Sequence, residues 1–267
     1  MVAVLYRDMR TLKTVERTLD VLEALEELNQ ARVSELADHL DLSKGGVYNH
    51  LATLHERGYV IKNEKRYRLS HRFFNLGHFV KHRTDLYNVA KQELDQLAGL
   101  TSGHAVLIIE EFGRAVYLYR AKGANGVSEE YSARRRESTD HLHISAAGKA
   151  ILAYLPIEEV EEIVRCQGLP AKTPKTITDE DTLLEDLVTI RERNYSVCDE
   201  EAVPGIRAVG APVINADGEV LGGISVSGAK NQFSPEAVRG RFAQMVMNTA
   251  DVIEADLATR NTSRGIR

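Results

Sequence analysis

Residues suited to reading DNA stand at positions 43–53, in the run Ser43-Lys44-Gly45-Gly46-Val47-Tyr48-Asn49-His50 followed by Leu51-Ala52-Thr53. Spaced as a helix, Val47, Leu51 and Leu54 fall on one side, and Lys44, Gly45, Tyr48, Asn49, Ala52 and Thr53 on the other. Asparagine carries the donor and acceptor that pair with adenine, and lysine reaches guanine or phosphate. Ser43 offers phosphate a hydroxyl or a backbone N–H at the helix start. Gly45 and Gly46 weaken the first turn, and their lack of side chains permits close approach. Further on, Lys65 and Arg66 stand in a short turn suited to a flanking minor groove or to phosphates. Positions 43–72 hold seven basic against two acidic residues, a local +5 in a chain whose formal charge is −5. A basic segment in an acidic chain implies one surface that faces a polyanion.

A second set lies in the C-terminal half. Ser225 and Ser227 alternate along a strand pattern, so both hydroxyls face one side. Residues 145–149 begin a helix whose free N–H groups and dipole favour an anion. A small carboxylate fits that combination. Cys198 with His141 or His143 has the elements of a nucleophile and base, and with Asp199 those of a zinc site. No local hydrolase signature surrounds them, so no catalytic residue, metal or cofactor is expected.

These residues need elements to hold them. The 267 residues allow one large domain or two ordinary ones, and 43% hydrophobic with 27% charged side chains suits a chain that buries a core. No apolar run reaches the length of a membrane span, and the N-terminus lacks a secretory signal pattern. Two cysteines make no disulfide framework, so a cytoplasmic protein is expected. Val15, Leu19, Leu22 and Leu25 predict a helix over 11–28 with those residues inward. Ser34 is placed to cap a second helix, SELADHL, and Ser43 a third ending at Gly58. Strands over Tyr59–Lys62 and Tyr67–Ser70 follow. The order is that of a winged helix-turn-helix over 11–72, with the helix-turn-helix at about 33–52. One or two linking helices lie within 71–98. After Thr101 come strands at 105–110 and 114–119, an irregular stretch over 120–141, helices at 145–155, 157–166 and 179–193, strands at 206–215 and 219–227, and a helix at 235–258. The predicted class is α+β in two domains. The second, 73–258, has a central mixed sheet covered by helices, and 259–267 is a flexible tail.

The sequence resembles the IclR family of transcription regulators. The residues that carry the resemblance are LADHLDLSKGGVYNHLATLHERGYV with YRLSHRFFNLG, then LHISAAGKAILAYL at 142–155, and YSVCDEEAVPGIRAVGAPVINADGEVLGGISVSG at 195–228. It covers roughly residues 11–258. It implies a winged helix-turn-helix joined by a helix to a GAF-like sensor domain. It also implies homodimers or homotetramers on a palindromic double-stranded DNA operator, and a small anionic effector. Ser43, Lys44, Gly45, Tyr48, Asn49, His50, Thr53, Lys65 and Arg66 become the DNA-binding set. By motif position the effector set is Ala146, Ala147, Cys198, Ala208, Ser225 and Ser227. The family more often carries Ser/Thr-Thr and a later arginine where this chain has Gly45-Gly46 and Asn49, and often Asp where it has Cys198. A GAF-like enzyme or a cysteine redox sensor with an accessory winged helix is the alternative.

Overall fold

The computed structural model describes residues 10–124 and 139–264, with side chains through residue 260. Part of the stretch expected to be irregular, 125–138, lies outside the described residues. The chain divides into two compact units, the first ending at Arg83 and the second continuing from Thr84.

The N-terminal unit contains α1 (Lys13–Glu27), α2 (Val33–Leu40), α3 (Lys44–Glu56), β1 (Val60–Asn63), β2 (Arg66–Leu69) and α4 (Arg72–Arg83). Its core joins Val21, Ala24 and Leu25 of α1 to Leu36, Val47, Leu51, Leu54, Val60 and Tyr67. The inward stripe of α1 therefore differs from the expected one. Val15 and Leu19 are exposed, because the arc of α1 that meets the core is centred on Val21, Ala24 and Leu25 and helical turning leaves those two residues to one side of it. Ser34 does not cap α2. Residue 32 takes that position, and the Glu35 carboxylate accepts from the Arg32 N–H at 2.9 Å. The turn into α3 is tight because Asp41 adopts a left-handed conformation, φ 51°, which short polar side chains tolerate.

The C-terminal unit begins with α5 (Asp85–Thr101), β3 (His104–Glu111) and β4 (Arg114–Lys122), and resumes at β5 (Thr139–His141). Then come α6 (Ala146–Leu152), α7 (Ile157–Gln167), α8 (Glu180–Arg193), β6 (Ser196–Asp199), β7 (Ile206–Ile214), β8 (Val220–Ala229) and, after a π-turn at Val238–Phe242, α9 (Ala243–Arg264). The helix continues to Arg264, so most of the expected tail is helical backbone.

The sheet is not mixed. Its order is β5-β4-β3-β8-β7-β6, and every neighbouring pair is antiparallel. Two hairpins, β3–β4 and β7–β8, lie side by side, and the helices α6–α8 carry the chain from one sheet edge to the other. Alternation divides the strands between two cores. Leu107, Val209, Ala211, Ile224 and Val226 pack under α5 and α9, while Val106 and Ile108 face α6–α8. Helix α6 lies very close to the sheet. A Cβ on Gly223 would come 2.4 Å from the Ala147 carbonyl oxygen, and one on Gly210 2.8 Å from Ala147 N. No helix among the described residues is long and apolar enough to cross a membrane.

Candidate functional site

Helix α3 presents its polar face as its spacing predicts. Ser43 caps it, its Oγ accepting from the Gly46 N–H at 3.1 Å. Ser43, Lys44, Gly45, Tyr48, Asn49 and Thr53 are all exposed. The Thr53 hydroxyl donates to the Asn49 carbonyl at 2.9 Å, which leaves the Asn49 amide side chain outside that bond. His50 lies elsewhere: it is half-buried, with Nδ1 2.9 Å from Thr18 Oγ1 on α1. It braces α3 against α1 and does not share the face of Asn49.

The β1–β2 turn carries Lys65 exposed and Arg66 tethered. The Arg66 guanidinium donates twice to the Glu35 carboxylate, at 3.2 Å each, and to the Gln30 carbonyl at 3.3 Å. The Arg32 N–H, aided by Arg66, holds the Glu35 carboxyl below its ordinary pKa. Gln30, Arg32, Asn63, Glu64, Lys65 and Arg66 line one shallow polar recess.

In the C-terminal unit a cavity of about 290 Å³ opens between the sheet and the start of α6. Ala146, Cys198, Ala208, Ser225 and Ser227 of the expected set line it, with Ser145 beside them. Ala147 does not. It is wedged between α6 and Gly223 in the adjoining core, because the close helix–sheet approach turns it away from the opening. Ser145 caps α6 by accepting from the Gly148 N–H at 3.0 Å. The Ser227 hydroxyl lies 3.4 Å from the His104 carbonyl.

Sequence reasoning missed the rest of the wall, which includes Val106, Tyr117, Arg120, Asp140 and Lys172. The Arg120 guanidinium carbon lies over Tyr117, 3.5 Å from the ring centroid, and Lys172 Nζ is 3.5 Å from an Asp140 oxygen. Simple alternation along β4 would separate Tyr117 from Arg120; a bulge, where the register steps from Tyr119 opposite Leu107 to Tyr117 opposite Ile108, brings both to the cavity. Lys172 comes from a loop that only the fold brings near.

Behind the cavity, Lys149 is 2% exposed, and its ammonium donates to Asp186 at 2.8 Å and to Glu201 at 2.9 Å. Burial opposes its charge, yet the two carboxylates hold its pKa above the ordinary lysine value. The hydroxyls of Thr173 and Thr176 bind the carbonyls of Glu200 and Glu201 at 2.8 and 2.7 Å. These contacts fix the segment that brings Ala202, Val203 and Ile206 to the cavity.

Burial pushes the Cys198 thiol up to about 11. Its Sγ faces the Ile144 carbonyl at 3.4 Å. A protonated, buried thiol is a poor nucleophile and a poor redox sensor. Arg114 occupies His141 Nε2 at 2.9 Å, and His143 Nε2 lies 3.2 Å from the Pro170 carbonyl. No group of three or more His, Cys, Asp or Glu side chains is arranged for a metal among the described residues.

Comparison with known proteins agrees with both halves. Residues 14–64 match the IclR helix-turn-helix domain, and residues 78–255 match the bacterial transcriptional regulator IclR C-terminal domain. The chain is 34% identical over 251 residues to the "Probable HTH-type transcriptional regulator ArcR" of Halobacterium salinarum, across 94% of this chain and 95% of that one. The crystal structure of Thermotoga maritima IclR superposes with a TM-score of 0.72 at 28% identity, covering 92% of this chain and 99% of that one. The inducer-binding domain of the Acinetobacter transcription factor PobR, solved as a double mutant in complex with 3-hydroxybenzoic acid, aligns with 64% of this chain and 98% of its own (TM-score 0.56, 27% identity). The chain belongs to the IclR family of transcriptional regulators, with an N-terminal DNA-binding helix-turn-helix and a C-terminal effector-binding domain.

Proposed function

We propose that this regulator acts in the cytoplasm as a homodimer or homotetramer on a palindromic operator, and that a small carboxylate bound in the C-terminal cavity changes its affinity for that operator. The observation that carries the effector reading is the cavity itself: a compartment of about 290 Å³ that combines an apolar floor, three serines, two cationic side chains and one carboxylate. That is the lining expected for a small polar metabolite, with few and convergent polar groups. The PobR domain, bound to a hydroxybenzoic acid, shares this fold. On the DNA side, Lys44, Tyr48, Asn49 and Thr53 meet base edges, while Ser43, Lys65 and Arg66 meet phosphates or the flanking groove. Gly45 lets the backbone approach, and His50 supports from behind.

A thermal-shift screen of small acids tests the effector reading. A ligand at 100 times its dissociation constant adds about 2.7 kcal/mol to folded-state stability, a shift that such a screen detects. Ala208→Phe, which fills the cavity, should remove the shift. A library of carboxylates that leaves the melting temperature of the wild type unchanged would refute the reading.

A further inference from the structure

We infer that the ligand of this cavity is an acid with two polar ends, its carboxylate held by Arg120 and its far end by Ser225 and Ser227. The inference rests on the cavity being the effector site and adds which end goes where. The strand register carries it. Arg120 on β4 stands opposite Val106 on β3, and Val106 stands opposite Ser225 on β8. Directly opposed residues in antiparallel strands share a face. Arg120, Val106 and Ser225 therefore form one row across the sheet, and the row spans two strand spacings, about 9–10 Å. Ser227, Ala208 and Cys198 form the neighbouring row on the same side. All six line the cavity.

The two ends of the row differ in chemistry. At one end the Arg120 guanidinium sits over the Tyr117 ring, 3.5 Å from its centroid, which steadies a planar fork suited to two-point carboxylate binding. Lys172 also lines the cavity, but its ammonium is already 3.5 Å from the Asp140 carboxylate, so the ligand's acid falls to Arg120. The charged side chains lining the cavity among the described residues are Arg120, Lys172 and Asp140, a net of one positive charge. The other end offers hydroxyls, alanine methyls, a thiol that stays protonated and the seven-residue helix α6, whose Gly148 N–H is already taken by the Ser145 hydroxyl. An anion taken from water needs a counter-charge, so the carboxylate belongs at the arginine end. The serines then hydrogen-bond a hydroxyl or a second acid group, and Val106 lies beneath an apolar middle. Reaching both ends requires polar groups on the order of 5–7 Å apart. Hydroxybenzoates and five- or six-carbon dicarboxylates meet this requirement, while a three-carbon oxo acid is too short.

The test is titration calorimetry on the full chain with 4-hydroxybenzoate, adipate and pyruvate, and with 4-hydroxybenzamide and adipamide as uncharged counterparts. At least one of the two long acids should bind tenfold or more tightly than pyruvate, and tenfold or more tightly than its own amide. Arg120→Gln should erase the preference for acid over amide, whereas Ser225→Ala should weaken both ligands and keep the preference. If Arg120→Gln does not fold, Arg120→Lys should still cut the preference several-fold, because it keeps the charge and loses the fork. Pyruvate binding as tightly as the long acids, or a preference that survives at Arg120→Gln, would overturn this inference while leaving the effector reading intact. No binding by any of these acids would overturn this inference, while the effector reading would fall only if the wider screen of carboxylates also failed.

Discussion

Single side chains decide what this protein can read. Asn49 stands exposed on a helix start fixed by Ser43. Asn49→Ala should weaken binding to a selected operator by about 1–3 kcal/mol and relax one base position, which gel-shift titration across single-base operator variants measures. Arg66 differs, because the same guanidinium that would meet phosphate is already clasped by Glu35. Glu35→Gln keeps an acceptor for the Arg32 N–H and removes the competing carboxylate. DNA affinity should therefore rise several-fold at low salt, and Arg66→Ala should lower affinity evenly across sequences and flatten the salt dependence. Unchanged affinity in both variants would separate Arg66 from the interface. His143 sets a pH dependence of stability. Burial lowers its pKa to about 4, against 6.5 when unfolded. The unfolded chain thus binds more protons between those values, and stability, complete above about 6.5, falls as the pH drops toward 4. Melting temperatures over that window should decline less steeply in His143→Gln than in the wild type.

At the scale of elements, the contact between α6 and the sheet matters most. Gly223→Ala places a methyl where the Ala147 carbonyl stands, and overpacking of that kind costs about 1–3 kcal/mol. Because Ser145 and Ala146 open the same helix, the substitution should also weaken ligand binding, readable in one denaturation series and one titration. A variant with wild-type stability would mean that α6 shifts freely.

Local chemistry explains which elements were legible in the sequence. The α3 face followed from Val47, Leu51 and Leu54 at helical spacing, and its start from Ser43. The hairpin strands flanking Phe112-Gly113 announced themselves, since both residues take positive φ, 54° and 78°, as a tight two-residue turn requires. Long-range choices were not legible. The strands of the sheet read alike whether parallel or antiparallel, so its mixed character was wrongly expected. β6 is only four residues long and was not anticipated. Ala147 shares its motif with Ala146, and only the glycines opposite it determine that it is sealed from the cavity. Arg120 fell just past the expected strand, at the head of the stretch read as irregular, and only the pairing of β4 with β3 places it in line with Ser225.

Over the whole molecule, the N-terminal unit leaves an apolar surface that its own core does not use. Phe74, Leu76, Phe79 and Val80 on α4 are exposed, as are Leu12, Val15 and Leu19 near α1. Exposed apolar residues gathered on short helices mark an interface, and one winged helix alone makes too small a DNA contact for tight specific binding. Light scattering at micromolar concentration should report a dimer or a dimer of dimers, and Phe79→Asp with Val80→Asp should shift it toward the monomer of 29.7 kDa. A wild-type monomer, with and without operator, would contradict this. Occupancy of the C-terminal cavity is proposed to change DNA affinity. An effector achieves that only by binding one arrangement of the protein better than another, with a coupling typically of about 1–3 kcal/mol, or roughly 5–150-fold. The most direct test is operator affinity with and without the acid found by thermal shift, in the wild type and in Ser225→Ala with Ser227→Ala. The wild type should show a clear shift, and the double variant nearly unchanged ligand-free affinity with a blunted shift. Equal shifts in the two proteins would place the effector site elsewhere and contradict the proposal.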